Sequence, residues 1–241
     1  MKLIHPIRTK MTVLGAKKLH NKLREDFSSN NIKMGRDAFI SFLRQRGMLV
    51  KKTKRFHITT NSKHFFYTSP NRLKDITLVH SEQAWVSDIT YIKIENQHAY
   101  LALVTDAYSK RIMGWSLDDH MKVELVKGAL KMAVINKKHH HRTIIHHSDR
   151  GIQYCCPDFT QFAENHGMLL STTQQYDPYE NAIAERINGI LKYEFGLKRT
   201  LPNLAVARKM VKEAVDTYNN ERPHWSLELK TPELAHHLYP L

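Results

Sequence analysis

Three carboxylates in this sequence have positions that suit a site for a divalent cation and a phosphate group. Asp88 lies midway in a run of alternating β-branched residues, Asp149 follows a second such run, and Glu185 lies about one turn inside a long helical segment. Neighbouring strands and a helix packed over them would bring the three side chains to one end of the fold. Carboxylate oxygens suit Mg²⁺ and Mn²⁺. Without a cation, three close carboxylates raise one another's pKa.

The helical segment around Glu185 supports this interpretation. Asn181, Asn188 and Lys192 stand at −4, +3 and +7 from Glu185, so the four side chains share a face. A separate apolar stripe, which can dock on a sheet, consists of Ile183, Ile187, Ile190 and Leu191. A carboxylate, two amides and a lysine on one face fit a metal ligand beside a phosphate backbone. A solvated polar face would give the same spacing.

Other acids and histidines have simpler interpretations. Asp106, Asp118 and Asp119 fall at strand ends, where aspartate usually makes turns by bonding to local backbone. The histidine runs at 139–141 and 146–147 place neighbouring rings in different directions and lack zinc-finger spacing. No glycine-rich phosphate loop and no Gly-x-Ser-x-Gly elbow is present, which weakens nucleotidase and hydrolase interpretations.

The elements that must position these residues alternate along the chain. Strands are predicted at Trp85 to Ile94, Ala99 to Thr105 and Ile112 to Leu117, and their short separators predict an antiparallel meander. The segments that follow are a helix (Lys122 to Lys137), a strand (Thr143 to His146), a helix (Pro157 to His166), a strand (Met168 to Ser171), and helices at about Glu180 to Phe195 and Leu204 to Asn219. This order predicts an α/β fold.

Charge is distributed unevenly. Residues 1–80 hold 18 lysines and arginines against 4 acids, whereas residues 81–241 hold 19 of each. A basic segment joined to a neutral body favours a polyanion partner, because phosphates release counterions when they are neutralised. Within residues 15–47 the pattern predicts two short helices joined by a polar turn at Asp26 to Asn31, with Arg36 and Arg44 on the outer face of the second. Helix-turn-helix DNA binding fits, as does a helical hairpin that contacts no groove.

Composition excludes several classes of protein. The 241 residues are 41% apolar and 25% charged, which is ordinary for a folded core with a small additional unit. The longest apolar run, Ala99 to Val104, is far shorter than the roughly 20 residues of a membrane span. Cys155 and Cys156 are adjacent and cannot build a disulfide framework. The amino terminus lacks a signal-peptide core, which predicts a cytoplasmic protein.

Four ordered motifs carry a resemblance to a known family. They are Trp85 to Tyr91 (WVSDITY), His147 to Tyr154 (HSDRGIQY), Glu180 to Arg186 (ENAIAER), and Tyr218 to His224 (YNNERPH) with Thr231-Pro232. The chain resembles insertion-sequence transposases, and more narrowly the second-frame product of two-frame elements in the IS-three family. The 35 residues between the second and third acids match that family.

The resemblance implies a ribonuclease-H-like, integrase-type catalytic core with a mixed sheet flanked by helices. It implies that Asp88, Asp149 and Glu185 bind two Mg²⁺ or Mn²⁺ ions and catalyse DNA cleavage and strand transfer, and that Lys192 contacts the DNA end. Implied partners are element ends, target DNA, further copies of the chain on DNA, and the upstream-frame product, in a bacterial, nucleoid-associated setting. Further DNA contacts are expected from Asn188, Arg36, Arg44, Lys51, Lys52, Lys54 and Arg55.

The predicted organisation has four parts. These are a helix-turn-helix-like segment (1–50), a basic linker (51–83), the catalytic core (84–235) and a tail (236–241). Two alternatives stay open from the sequence. A nuclease of the same fold would cut DNA without joining it, and a non-catalytic regulator would only bind DNA through residues 1–80.

Overall fold

The computed structural model describes residues 1–50, 66, 68–95, 97–174 and 181–238. Its strands are β1 (Ala84–Ile94), β2 (Gln97–Asp106), β3 (Ile112–Asp118), β4 (Ile144–Ser148) and β5 (Met168–Thr172). Its helices are α1 (Ile4–Lys10), α2 (Ala16–Lys22), α3 (Arg24–Ser29), α4 (Arg36–Gln45), α5 (Val123–Ile135), α6 (Ile152–Cys155), α7 (Pro157–Asn165), α8 (Ala182–Glu194), α9 (Leu204–Glu221) and α10 (Pro232–His237), with a 3₁₀ turn at Trp225–Leu227.

The five strands form one mixed sheet in the order β3-β2-β1-β4-β5. β1, β2 and β3 pair antiparallel, which confirms the predicted meander, while β4 runs parallel to β1 and β5 runs parallel to β4. The predicted α/β class with a helix-flanked mixed sheet is therefore confirmed. None of the described helices is both long and apolar enough to span a membrane.

Side-chain alternation along the central strands divides the core into two layers. In β2, Leu101 and Leu103 pack in the cluster that includes α8 and α9, whereas Ala102 and Val104 pack in the cluster that includes α5 and α7. This two-residue period is expected of a strand buried on both faces. The sheet thus lies between two helical layers, and α8 lies on the face to which even-numbered β1 residues such as Ile92 contribute.

Gly114 marks the closest approach between the sheet and α5. A Cβ at this position would lie 2.1 Å from the carbonyl oxygen of Ala129 and 2.5 Å from the backbone nitrogen of Ala133. Because both neighbours are backbone, we expect Gly114→Ala to lower the free energy of unfolding by about 3 kcal/mol. Urea unfolding followed by circular dichroism measures this, with Gly189→Ala in α8 as the control, since no atom lies within 4 Å of its added Cβ. Equal stability of the two variants would contradict the packing described.

The amino-terminal unit contains more helix than the sequence pattern predicts. The stretch from Asp26 to Asn31, predicted to be a turn, lies largely in α3. The acids of its first turn suit a helix amino terminus, and Phe27 is buried, so the helix is stabilised from both sides. The chain turns instead at Asn31, whose φ is +54°. The predicted second helix is confirmed as α4, and Gly47 ends it with a φ of +64°.

The amino-terminal helices share one hydrophobic cluster with α8 and α9. Leu14, Leu19 and Phe39 belong to the same buried cluster as Ile187 and Val211. The backbone N–H of Thr12 also donates to the carbonyl of Glu194 at the end of α8, at 2.9 Å. The unit is therefore packed directly on the helix that carries Glu185.

Two predicted boundaries differ from the packing. Ser69 and Arg72, within the predicted linker, contact β5: Arg72 N–H donates to Ser171 Oγ at 2.9 Å, and Thr172 Oγ1 donates to the Ser69 carbonyl at 2.7 Å. His236, predicted as tail, is buried in α10 and bonds to Ser109 Oγ at 2.9 Å. Lys51, Lys52, Lys54 and Arg55 lie outside the described residues. The division into four parts stays a prediction.

Two buried histidines make stability depend on pH. Burial lowers the pKa of His146 to about 3 and that of His224 to about 2. An unfolded histidine titrates near 6.5, so below that pH the unfolded chain binds protons that the folded chain does not. As the pH falls from about 6 to about 3, each histidine therefore lowers the free energy of unfolding by about 1 kcal/mol per pH unit. Asp88, whose pKa is raised to about 7, acts in the opposite sense between about pH 7 and pH 4, because there the folded chain binds the proton and the unfolded chain does not.

A variant separates these contributions. We expect His224→Phe to reduce the acid-side slope of unfolding free energy against pH by about 1 kcal/mol per pH unit, because phenylalanine cannot take up the proton. Urea unfolding at pH 7 and pH 5, for this variant and the unsubstituted protein, gives the two slopes. Identical slopes would contradict a neutral, buried His224.

Candidate active site

Asp88 lies at the middle of β1, facing α8. Its Oδ1 accepts a hydrogen bond from the backbone N–H of Ile89 at 2.9 Å, and its Oδ2 accepts one from Nδ2 of Asn188 at 2.8 Å. The side chain is half-buried. The carboxylate is thus held in one orientation, with lone pairs on both oxygens that these two bonds do not use.

Asp149 follows β4 directly, in the loop that leads into α6. β4 pairs with β1 between Ala84 and Ser87, so the chain leaves β4 beside Asp88. The Oδ1 of Asp149 accepts a hydrogen bond from the backbone N–H of Gly151 at 3.0 Å. An added Cβ on Gly151 would lie 3.0 Å from that same oxygen, so the close turn favours glycine there.

Glu185 projects from the first turn of α8 and is exposed. Its backbone N–H bonds to the carbonyl of Asn181, which precedes the helix, at 3.2 Å. α8 packs against β1 and β2, with Ile187, Ile190 and Leu191 in the core as the apolar stripe predicts. The helix therefore presents Glu185 on the side of the sheet that Asp88 faces.

The three carboxylates influence one another. Burial, followed by the charges of Asp149 and Glu185, raises the pKa of Asp88 to about 7, against the opposing hydrogen bond from Asn188. Partial burial of the carboxyl group, and then the charge of Asp149, also raise the pKa of Glu185, although its side chain is largely exposed. Concentrated negative charge on hard oxygen donors is the environment that binds Mg²⁺ or Mn²⁺. The residues present therefore fit a divalent cation.

Asn188 has a different position from the one expected. It was predicted to contact DNA, but it is only 5% exposed and its amide nitrogen bonds to Asp88. The spacing of three residues places Asn188 on the same face of α8 as Glu185. The spacing alone does not distinguish a contact with DNA from an inward contact with β1. We assign Asn188 to the orientation of Asp88.

Lys192 lies on the same side of the sheet as Asp88. Its Nζ is 4.1 Å from the centroid of the Tyr91 ring, a cation–π contact. Burial lowers the pKa of Lys192, while the charge of Asp88 opposes this shift. The half-buried ammonium therefore lies two helical turns beyond Glu185 on α8, close enough to Asp88 for the two charges to interact.

Other predicted polar residues lie elsewhere. Arg36 and Arg44 are exposed on α4, and Arg36 pairs with Asp37 at 3.0 Å. Asp106 makes the predicted turn by accepting from the Ser109 N–H at 2.7 Å.

A second acidic group lies at the end of β3. Asp118, Asp119 and His120 have ligand atoms within 4.8 Å of one another, in a half-buried to exposed position. Asp118 Oδ1 also accepts from the Asp119 N–H at 2.8 Å, as expected for a turn. Acidic turns of this kind are common without a metal ion.

Sequence reasoning missed Ser87 and His146. Each side chain is only 1% exposed, and Ser87 Oγ lies 2.8 Å from Nε2 of His146. A serine before an aspartate and a histidine within a strand carry no distinctive spacing. Only the parallel pairing of β1 with β4 brings them together.

Comparison with known proteins identifies matching families and sequence relatives. Two integrase core domain families match residues 79–178 and 166–232. The chain is 32% identical over 220 residues to the insertion element IS600 uncharacterized 31 kDa protein of Shigella sonnei, covering 90% of this chain and 79% of that protein. It is 32% identical over 181 residues to the transposase InsF for insertion sequence IS3A of Escherichia coli, covering 75% of this chain and 61% of that protein.

Solved structures share the fold. The catalytic core domain of HTLV-2 integrase in complex with magnesium matches with a TM-score of 0.52 and 20% identity, covering 66% of this chain and 99% of that one. A chain of the simian T-cell lymphotropic virus intasome matches with a TM-score of 0.57 and 20% identity, covering 95% of this chain and 74% of that one. At 20% identity these structures show the fold alone. The sequence relatives establish that the chain belongs to the IS3-type insertion-sequence transposases, and the two family matches give it an integrase core domain.

Proposed function

We propose that this protein catalyses divalent-metal-dependent cleavage and strand transfer at the ends of an insertion sequence. The observation that carries the proposal is the coupling of three acids from β1, the β4 loop and α8: burial, and then the charges of Asp149 and Glu185, raise the pKa of Asp88, and burial and Asp149 raise that of Glu185. Family membership supports DNA as the substrate. The reaction would take place on DNA in the bacterial cytoplasm, at the nucleoid.

In the proposed reaction the metal ions and the side chains have different roles. Asp88, Asp149 and Glu185 would hold two Mg²⁺ or Mn²⁺ ions, which supply charge stabilisation and an activated oxygen nucleophile at a phosphodiester. Asn188 keeps the Asp88 carboxylate turned toward this position. A water would attack first, releasing a 3′-hydroxyl, and that hydroxyl would then attack a second phosphodiester. Each displacement breaks one P–O bond and forms one, so no covalent protein intermediate is needed.

The experiment that tests the proposal follows labelled DNA carrying the element's terminal repeats. We expect Mg²⁺-dependent cleavage and then covalent joining to target DNA by the unsubstituted protein, and loss of both with Asp149→Asn. Cleavage without joined products would favour a nuclease. DNA binding that is steeply salt-dependent, with no reaction and no effect of changing the acids, would favour a regulator that binds through the basic residues 1–80.

We propose that Lys192 contacts a backbone phosphate of the DNA end. We expect Lys192→Met to weaken binding of the end about tenfold and to reduce the salt dependence by about one released counterion, since one charge contact is lost. Fluorescence anisotropy without divalent cation measures binding alone. Lys198→Met is the control, because Lys198 also lies over a tyrosine, Tyr193, at 4.4 Å, but is exposed beyond α8. Equal weakening in both variants would argue against a specific contact by Lys192.

Partners beyond DNA are also proposals. Strand transfer joins two element ends to one target, so we expect assemblies of two or more copies on paired ends, with the upstream-frame product as a further component. Light scattering of the complex that cleaves DNA measures this, and a monomer in that complex would contradict it.

A further inference from the structure

Ser87, the residue before Asp88, is hydrogen-bonded to both of the other elements that carry the site. Its hydroxyl oxygen lies 2.8 Å from Nε2 of His146 on β4. Its backbone carbonyl accepts a hydrogen bond from Nδ2 of Asn181, the residue before α8, at 3.1 Å. Ser87 and His146 are each 1% exposed and Asn181 is 6% exposed, so water does not compete readily for these bonds.

The three residues join the two faces of the sheet. Because side chains alternate along β1, Asp88 faces α8 while the Ser87 hydroxyl faces the opposite layer. There the His146 ring packs against Phe159, with ring centroids 5.3 Å apart, and against Tyr154 at 6.1 Å. These aromatic neighbours hold the imidazole in place, so its contact with Ser87 fixes β4 against β1 at this point.

Each member of the trio lies close in sequence to one carboxylate. Ser87 is one residue before Asp88, His146 is three residues before Asp149, and Asn181 is one helical turn before Glu185. The Asn181 carbonyl also accepts the backbone N–H of Glu185 at 3.2 Å. A shift of β4 or α8 relative to β1 would therefore have to break a buried hydrogen bond.

We propose that Ser87, His146 and Asn181 are positioning residues that set the separations of Asp88, Asp149 and Glu185 and thereby the affinity for divalent cations. The inference deepens the proposed function and depends on it, because it concerns the same carboxylates. Groups that orient metal ligands typically change metal affinity by 10-fold to 100-fold when they are removed.

The test is a calorimetric titration of the full chain with Mg²⁺. We expect Asn181→Ala and Ser87→Ala to weaken Mg²⁺ binding about tenfold, and Ser87→Thr, which keeps the hydroxyl, to restore it. The matched control is Asn219→Ala. Asn219 is also a buried amide, 8% exposed, but it bonds to the backbone of Ile112 at 2.9 and 3.0 Å, away from the acids. The Asn219→Ala variant should have a lower midpoint of thermal unfolding and an unchanged affinity for Mg²⁺.

The outcomes separate this inference from the proposed function. If the unsubstituted protein binds no Mg²⁺ or Mn²⁺, the proposed function itself fails. If it binds Mg²⁺ and folded Asn181→Ala binds equally well, or if Asn219→Ala weakens binding just as much, only the positioning role is overturned. Should Asn181→Ala fail to fold, the comparison of Ser87→Ala with Ser87→Thr decides by the same criterion.

Discussion

Replacing Asp88 by asparagine is expected to lower the rate of DNA cleavage by about 10³-fold, because a carboxylate that holds a catalytic cation contributes several kcal/mol of transition-state stabilisation. The substitution keeps the shape of the side chain, but its one amide oxygen can replace only one of the two acceptors that Asp88 offers to Asn188 and to the Ile89 N–H. Burial and the charges of Asp149 and Glu185 raise the pKa of Asp88, so removing its charge should offset the stability lost with the second acceptor.

The control for Asp88→Asn is the acidic turn at the end of β3. Asp119→Asn removes a carboxylate from the group that also contains Asp118 and His120, whose ligand atoms lie within 4.8 Å of one another. We expect this variant to cleave DNA at the unsubstituted rate. Loss of cleavage in Asp119→Asn with activity retained in Asp88→Asn would move the metal site from the β1, β4 and α8 junction to the end of β3.

The second large effect concerns a buried ion pair between α8 and the segment after α9. The Arg222 side chain is fully buried, and it donates to both oxygens of Glu194, from Nε at 2.8 Å and from Nη2 at 2.7 Å. Glu194 ends α8, and its carbonyl accepts from Thr12 of the amino-terminal unit. The pair thus fixes α8, the helix that carries Glu185, at the point where three parts of the chain meet.

We expect Arg222→Met to lower the free energy of unfolding by about 3–5 kcal/mol, because it leaves the Glu194 carboxylate largely buried without its bidentate partner. Lys18 lies near the same carboxylate, and burial lowers the pKa of this lysine to about 8, so it replaces the lost charge only in part. Urea unfolding followed by circular dichroism gives the change, which is a large share of the typical stability of a folded domain.

A double substitution identifies the cause. Arg222→Met combined with Glu194→Met should recover most of the lost stability, because no buried charge is then left unpaired. A single variant within about 1 kcal/mol of the unsubstituted protein, or a double variant less stable than the single one, would contradict a stabilising role of the pair.

The sheet and the long helices could be predicted because their signals are local. Alternating β-branched residues gave β1, β2 and β3, and apolar periodicity gave α5, α8 and α9 to within a few residues. The sequence pattern does not predict α1, α3, α6 or α10, because few residues define such short helices. One of them did carry a signal: Thr231 caps α10 by accepting from the Leu234 N–H, and Pro232 occupies its first turn.

The carboxylates of the candidate site could be found from spacing, but not the groups that hold them. Asn188 has the same spacing from Glu185 whether it faces DNA or Asp88, and tertiary packing decides between these positions. Ser87 and His146 lie 59 positions apart and meet only because β4 pairs with β1. Likewise, the YNNERPH motif carries the family resemblance, but only the fold shows that its Arg222 is buried against Glu194.

The most direct test of the central claim is the joining of labelled terminal-repeat DNA to target DNA in the presence of Mg²⁺, with Glu185→Gln in parallel. Cleaved and covalently joined products from the unsubstituted protein, absent with EDTA and absent in Glu185→Gln, are the predicted result. Joined products formed equally well by Glu185→Gln, or formed in EDTA, would contradict catalysis by the three carboxylates.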